Sequence, residues 1–478
     1  LSPYLSESGS CHLEFAMSLR LFSVLATLAF AALAPELASG QLSRAEKIAV
    51  MDSIAESPLL EGRVAGLAVM VVQAGDTLLH KGYGEADLEW DGPMAKDAVF
   101  EIGSVTKQFT AAAILKLRNE GRVDLDADVT EYLPDYPTQG RRIPVRRLLD
   151  HTSGIQGVTE MPEFGGIQTQ DLPRDSLLGL FGNAPFLFEP GEALIYNNSA
   201  YILLGHIIEK VSGVTYEEYV EEELFEELGM TRSSYCSNRE VVERRAHGYQ
   251  LTPDGLVRRS YTNHLWPFSA GSLCSTVGDL TRWLQALHDG EVLPDASYHD
   301  LTTPVPLNDG TPVRYAMGLS RAPDVGGRPV ISHGGGISGF VSDTRYYPDH
   351  DLTVVTLVNT VGNLSPAALA MEMVDVLAPR IPRETRPFQG DAAALVGTYS
   401  GPSRGGTLTI SVTQEDGQLF AGPEGSQPAP LGWSEGWTFF LGTVRIVTFE
   451  GDEGLATVMR VDGGGSHEVL RRQGGEGL

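Results

Sequence analysis

The period of the apolar positions changes several times along this chain, and each change marks an element. Residues 42–57 alternate charged and apolar side chains at helical spacing, opening on Ser43-Arg44-Ala45-Glu46-Lys47. Residues 65–73 form a β-rich apolar run. Ala74-Gly75-Asp76 then reads as a hairpin turn into a second strand at 77–84. Helical patterns occupy 108–120, 199–212 and 277–288. Strand patterns resume at 315–319, 330–332, 341–347 and 352–359, and a helix follows at 366–377. The pattern breaks at Pro379-Arg380-Ile381-Pro382-Arg383-Glu384-Thr385-Arg386-Pro387, a linker reading that covers 381–390. Beyond it, short alternating runs at 407–413, 418–421, 437–441, 444–450, 456–461 and 468–471 are separated by turn signals such as Asp416-Gly417 and Asp462-Gly463. They predict a small antiparallel β unit over 391–473, a barrel or curled sheet, with a flexible tail at 474–478.

The first forty residues follow a different logic. Met17-Ser18-Leu19-Arg20 is a short basic start, 21–34 is uninterrupted small and apolar, and Ala38-Ser39-Gly40 precedes Gln41. This is the layout of a secretory signal peptide behind an upstream extension, spanning 1–40. The apolar run is too short to cross a bilayer comfortably, and no cysteine follows it to carry a lipid anchor. The expectation is a periplasmic or secreted protein with no stable membrane anchor. Of the three cysteines, Cys11 would leave with the leader. Cys236 and Cys274 then either pair in an oxidising compartment or sit as buried thiols, and spacing does not choose between them.

Composition narrows the class. The chain has 478 residues, 42% of them hydrophobic, with 54 glycines and 28 prolines. That is globular and rich in turns, long enough for a large catalytic domain (41–380) and a small second one. A net charge of −27 argues against a nucleic-acid partner and otherwise signals solubility.

The candidate chemistry starts at Glu101-Ile102-Gly103-Ser104-Val105-Thr106-Lys107. A serine at the mouth of an apolar helix has its backbone N–H at the positive end of the dipole. A lysine one turn later shares its face. A hydroxyl needs such a base to become a nucleophile. Alone the pair is weak, since a capping serine beside a solvated lysine reads the same. Two later stretches change that: Tyr196-Asn197-Asn198, just before an apolar helix, and His333-Gly334-Gly335-Gly336, after a strand pattern.

Together these stretches resemble the serine β-lactamase and penicillin-binding-protein superfamily, in particular its class C β-lactamase, D-alanyl-D-alanine carboxypeptidase and family VIII esterase branch. Leu148-Leu149-Asp150-His151-Thr152-Ser153-Gly154, Pro190-Gly191 and Ala270-Gly271-Ser272-Leu273 agree with it, and the resemblance covers about 45–380. It implies an α/β (α+β) fold: an antiparallel sheet flanked by helices, with a mostly helical insertion from about Ser104 to about Leu287. The opening Leu395-Val396-Gly397-Thr398-Tyr399 of the C-terminal unit resembles lipocalin-like domains. The resemblance further implies a serine hydrolase working through an acyl-enzyme on small molecules or short peptides, with no cofactor. Ser104 would be the nucleophile, Lys107 its proton partner and Tyr196 the general base. Asn198 would orient Lys107 and touch substrate. His333, Gly335 and Gly336 would bind substrate, with the N–H groups of Ser104 and Gly336 as the oxyanion hole.

His333 stands where many relatives have lysine, so a substrate carboxylate would be held only when the histidine is protonated, near its ordinary pKa of ~6.5. Efficient β-lactam hydrolysis is then doubtful, while esters and small peptides stay open. Asn197 should point away from the reaction.

Other motifs carry less. Gly401-Pro402-Ser403-Arg404-Gly405 matches the nucleophile-elbow pattern but lacks the following helix, and reads as chance. His151 reads as a loop-holding residue, and Asp126 and Asp128 as a solvated turn. No metal-ligand spacing is present. A slowly acylating penicillin-binding or sensing protein is the competing function. The C-terminal β unit would either bind a ligand or cover the catalytic domain.

Overall fold

The computed structural model describes residues 42–171, 173–383, 386–452 and 454–474. The leader reading of 1–40 and most of the tail reading lie outside them. Among the described residues no helix is long and apolar enough to cross a membrane.

The catalytic region is built on a six-stranded antiparallel sheet. Its order is Gly92–Pro93, Asp76–Asp87, Gly66–Gln73, Leu352–Val358, Phe340–Tyr347 and Ile331–Ile337. The first strand of the chain thus pairs with a strand nearly three hundred residues later, Leu67 opposite Val358. Both strands are almost continuously apolar and buried, because helices cover the sheet on its two faces. Those helices are Val277–His288 and Pro366–Leu377. Each starts where its sequence says it should. Thr276 accepts from the Asp279 N–H and Ser365 from the Ala368 N–H, with Pro366 in the first turn.

Everything between the sheet halves is inserted and mostly helical. Its centre is the buried helix Thr106–Asn119, whose Ala111-Ala112-Ala113 run favours helix and packs without bulk against Asn198–Ser212. Asn197 caps the latter through the Ala200 N–H, and Gly213 ends it in the left-handed conformation, φ 86°. Two small sheets involve the insertion, the second closed by a strand from beyond it. One joins Phe100–Glu101, Leu273–Ser275 and Ser234–Tyr235. The other joins Tyr249–Thr252, Gly255–Arg258 and Thr360–Val361.

Two sequence expectations are corrected. Residues 315–319 are not a strand: Gly318 turns the chain at φ 73°, and only single bridges tie Tyr315 to Ser320 and Ser320 to Ser332. The apolar run there fills the core through a turn. The strand at 330–332 instead begins at Ile331 and runs on through His333-Gly334-Gly335-Gly336 to Ile337.

The C-terminal unit is a closed eight-stranded antiparallel barrel, from Gly397–Ser403 to His467–Arg472. Tyr399, Phe439, Val447, Phe449, Met459 and Leu470 fill it. Sequence reading saw six runs and missed two strands. Gly397–Ser403 carries Gly401-Pro402, and Ala429–Glu435 begins on Ala429-Pro430. The linker is partly tied down: the Ile381 N–H donates to the Gly326 carbonyl, and Arg383 donates to the Thr443 carbonyl.

Candidate active site

Ser104 lies in the short 3-10 turn Gly103–Val105 that leads into Thr106–Asn119. The turn is wedged against the strand Ile331–Ile337. Gly103 sits at φ 51°, and a β-carbon there would lie 2.8 Å from the Gly336 nitrogen. A β-carbon at Gly335 would collide with the Ile102 carbonyl oxygen, whereas one at Gly336 would meet nothing. Gly335, expected to bind substrate, is therefore a close-packing position, and Gly336 is the one that faces the cleft with Ser104.

Lys107 is fully buried one turn from the serine. Its Nζ lies 3.2 Å from Ser104 Oγ, 2.9 Å from Asn198 Oδ1 and 2.7 Å from the Ala270 carbonyl. Burial, reinforced by the Arg404 cation and opposed by Glu160, holds its pKa well below that of a free lysine. The neutral amine fits these partners. Its two N–H groups donate to the two carbonyl oxygens, and its lone pair is left facing the Ser104 hydroxyl.

Tyr196 is set over this group, its ring centroid 4.9 Å from Lys107 Nζ, 5.2 Å from the Arg404 guanidinium and 4.3 Å from the His151 ring. Its hydroxyl is buried without a hydrogen-bond partner among the described residues. Burial pushes the phenol up. The Ser104 hydroxyl, close but outside hydrogen-bond geometry, and Arg404 only partly oppose this. The phenolate expected for a general base is disfavoured, and the protonated phenol is the resting form.

Asn198 is engaged at both ends, Oδ1 with Lys107 and Nδ2 donating to Thr159 Oγ1 at 3.0 Å. One N–H remains to face the cleft. Asn197 points away, as expected. It caps its helix, and its Nδ2 donates to the Ile155 carbonyl at 2.6 Å.

His333 is buried and belongs to a chain that fixes its proton. The Asn197 N–H donates to His151 Nδ1 at 3.2 Å, so the His151 proton sits on Nε2, 3.2 Å from the Tyr315 oxygen. Tyr315 then donates to His333 Nε2 at 2.9 Å, and His333 Nδ1–H donates to the Gly334 carbonyl at 2.6 Å. Both imidazoles are neutral. Burial first, then the neighbouring Lys107, pushes His333 down to about 3. His151 is held well below its ordinary range for the same reasons. The expectation that His333 gains charge near ~6.5 is corrected: its acceptor nitrogen is already taken.

These side chains open on a cleft of about 850 Å³ lined by Ser104, Tyr196, Asn198, His333 and Gly336, and on the barrel side by Ser403 and Arg404. A side pocket of about 180 Å³ leaves Ser104 between Phe164, Trp266 and Ile337. A cleft of similar size around Tyr136 and His206 shares none of these residues.

Residues 48–378 match the model of the Beta-lactamase family. The chain belongs to that family. It is 31% identical over 318 residues to Penicillin-binding protein 4* of Bacillus subtilis (strain 168), covering 61% of this chain and 67% of the relative. It is 28% identical over 338 residues to a D-aminopeptidase of Gluconobacter oxydans (strain 621H), covering 70% and 62%. The chain thus spans about two thirds or less of the length of the curated relatives it matches. Among solved structures, the octameric penicillin-binding protein homologue from Pyrococcus abyssi superposes with TM-score 0.61 at 25% identity, covering 89% of this chain and 100% of that one. As a member of the Beta-lactamase family the chain is a hydrolase of β-lactamase-like fold, carrying an eight-stranded barrel at its C-terminal end.

Sequence reading missed Thr159, Glu160, Tyr315 and Arg404. Thr159 and Glu160 lie in the short 3-10 turn Val158–Glu160, which leaves no period to read, and Tyr315 lies in the apolar run expected to be a strand. Arg404 sits inside the stretch set aside as a chance match, and nothing in the sequence ties a barrel hairpin to Ser104. His151 was placed correctly as a residue that holds its loop.

Proposed function

We propose that this family member is an exported serine hydrolase acting through an acyl-enzyme on an ester, an amide or a D-aminoacyl peptide. The observation that carries it is the buried Lys107 amine, fixed by Asn198 Oδ1 and the Ala270 carbonyl so that its lone pair meets the Ser104 hydroxyl. As Ser104 Oγ attacks the substrate carbonyl, Lys107 takes the hydroxyl proton, and the Ser104 and Gly336 N–H groups hold the oxyanion. The protonated Tyr196 phenol then gives a proton to the leaving alkoxide or amine. Water reverses the roles to release the acid.

The cleft supports neutral substrates. His333 carries no charge with which to hold a β-lactam carboxylate, and Phe164 and Trp266 line a side pocket suited to an apolar side chain. The D-aminopeptidase relative points to D-aminoacyl substrates. Export is supported by the leader pattern in 1–40 and by the disulfide between Cys236 and Cys274, expected of an oxidising compartment.

The test is a screen of a short-chain ester, a D-alanyl amide and a cephalosporin, with wild type and Ser104→Ala. The reading expects turnover of the first two, lost in the variant together with covalent labelling by a fluorophosphonate. Labelling without turnover of any of the three would favour the slowly acylating binding protein instead. N-terminal sequencing of exported protein should start near Gln41, and a start at Met17 would refute cleavage.

A further inference from the structure

The barrel forms one side of the active-site cleft, and one of its turns reaches Tyr196. The turn after Gly397–Ser403 carries Arg404 to the mouth of the cleft, where its guanidinium lies over the Tyr196 ring. Its Nε donates to Glu160 Oε1 at 2.6 Å. Glu160 is nearly buried, 11% exposed, in the loop after Gly157, where a β-carbon would collide with its carboxylate. From Glu160 the hydrogen bonds run inward in one direction. Thr159 Oγ1 donates to Glu160 Oε1 at 2.8 Å, Asn198 Nδ2 donates to Thr159 at 3.0 Å, and Lys107 donates to Asn198 Oδ1 at 2.9 Å. Every donor in this chain points toward the Glu160 carboxylate, and Arg404 closes its outer end.

We propose that Arg404 is a positioning residue of the active site: together with Glu160 it anchors the polar chain that holds Asn198 and Lys107 against Ser104, which makes the barrel a working part of the enzyme. This rests on the reading that Ser104 is acylated with Lys107 as its base.

The charges around Lys107 make the role measurable. Facing it are Tyr196 from the preceding loop, Tyr201 on Asn198–Ser212, His151 from its loop, and Tyr315 and His333 on the strand side. Both imidazoles are neutral, and burial raises all three phenols, so none is charged at neutral pH. Asp150 and Asp343 are buried near this group, and the cations Arg147 and Arg345 pair with them. That leaves Arg404 and Glu160 as the charges that act on Lys107, with opposite signs. Removing the cation should make the amine easier to protonate. Removing the carboxylate should make it harder.

The experiment measures the second-order rate of Ser104 labelling by a fluorophosphonate from about pH 5.5 to 9.5 in the full-length protein. Arg404→Met should label about tenfold slower near neutrality, with the acid limb of the profile moved to higher pH. Glu160→Gln should move the same limb to lower pH. Arg404→Lys should return the limb toward wild type, and the double variant should fall between the singles. Limbs that do not move, or that move in the same direction in both single variants, would overturn the proposal and leave the hairpin as a cover. If Arg404→Met fails to fold, Glu160→Gln and Arg404→Lys carry the decision, since both keep the side chain's bulk. Labelling of Ser104→Ala at the wild-type rate would instead sink the underlying acylation reading, whatever the limbs do.

Discussion

A histidine can hold a carboxylate by charge only if its second nitrogen can take a proton, and in His333 that nitrogen already accepts from Tyr315. Protonation would place two hydrogens between the partners. Tyr315 could not turn away, because His151 Nε2–H already points at its oxygen. The expected outcome is that between about pH 5 and 8 both imidazoles stay neutral in single tautomers, Nδ1–H for His333 and Nε2–H for His151. Nitrogen-15 correlation spectra would show this directly, and a His333 titration near neutrality would refute it. The preference between a carboxylate-bearing and a neutral substrate should then not change around ~6.5. His333→Lys would bury a cation beside the Lys107 amine, and should cost about 2–4 kcal/mol in stability, read by urea unfolding. The sequence could name Ser104, Lys107, Tyr196, Asn198 and His333 because each stands beside an element start or a glycine run that leaves a trace in the text. It could not show the state of His333, which is set by Tyr315, eighteen residues away in sequence, and by His151 in another loop.

At the scale of elements, the stretch leading to Ser104 is held by very little regular structure. Phe100–Glu101 is a two-residue strand, paired to Leu273–Ser275 and through it to Ser234–Tyr235. The buried Glu101 carboxylate takes two guanidinium groups, Arg245 at 2.8 Å and Arg259 at 2.5 Å, with His264 at 3.4 Å. Burial alone would raise its pKa, but His264 and Arg259 outweigh this and hold it well below the usual carboxylate range. Glu101→Gln leaves two cations facing a neutral amide. It should destabilise by about 3–5 kcal/mol, measured as a shift of the urea midpoint. The disulfide closes the same small sheet, Cys274 lying opposite Glu101 and Cys236 at a sequence separation of 38. Replacing both cysteines by serine should cost about 3–4 kcal/mol, and an unchanged midpoint would show that the Glu101 cluster suffices. Long capped helices such as Val277–His288 were legible to the residue, because Thr276 and the apolar stripe agree. Strands of two or three residues leave no period to read, and Gly401-Pro402 disguised a barrel strand as a loop.

For the molecule as a whole, buried imidazoles link folding to pH. Burial, then the opposing pulls of Asp175 and Arg174, leaves His206 at about 4. Burial alone pushes His288 down to about 3. His333 is also near 3, and His151 is well below its ordinary value. In the unfolded chain each returns to ~6.5. Below that value the unfolded state binds more protons than the native one, so stability is full above it and is lost as pH falls toward the native values. Each histidine contributes up to about 1.4 kcal/mol per pH unit in that window. Asp150 and Asp343 work against this, because burial raises their native pKa and the folded state then gains protons first. Their ordinary value of ~3.9 lies well below that of histidine, so the window from about pH 7 to 5 is read best. A second opposing effect is general: the formal charge of −27 repels itself less as carboxylates are neutralised, and this part is screened by salt. Unfolding measured in moderate salt should therefore show stability falling by several kcal/mol between about pH 7 and 5. His288→Asn, which removes one imidazole stacked at 3.9 Å on Tyr346, should flatten that slope even though it lowers stability at pH 7. A midpoint independent of pH in this window would mean that these histidines accept protons in the native state, and the neutral network behind Tyr196 would have to be abandoned with them.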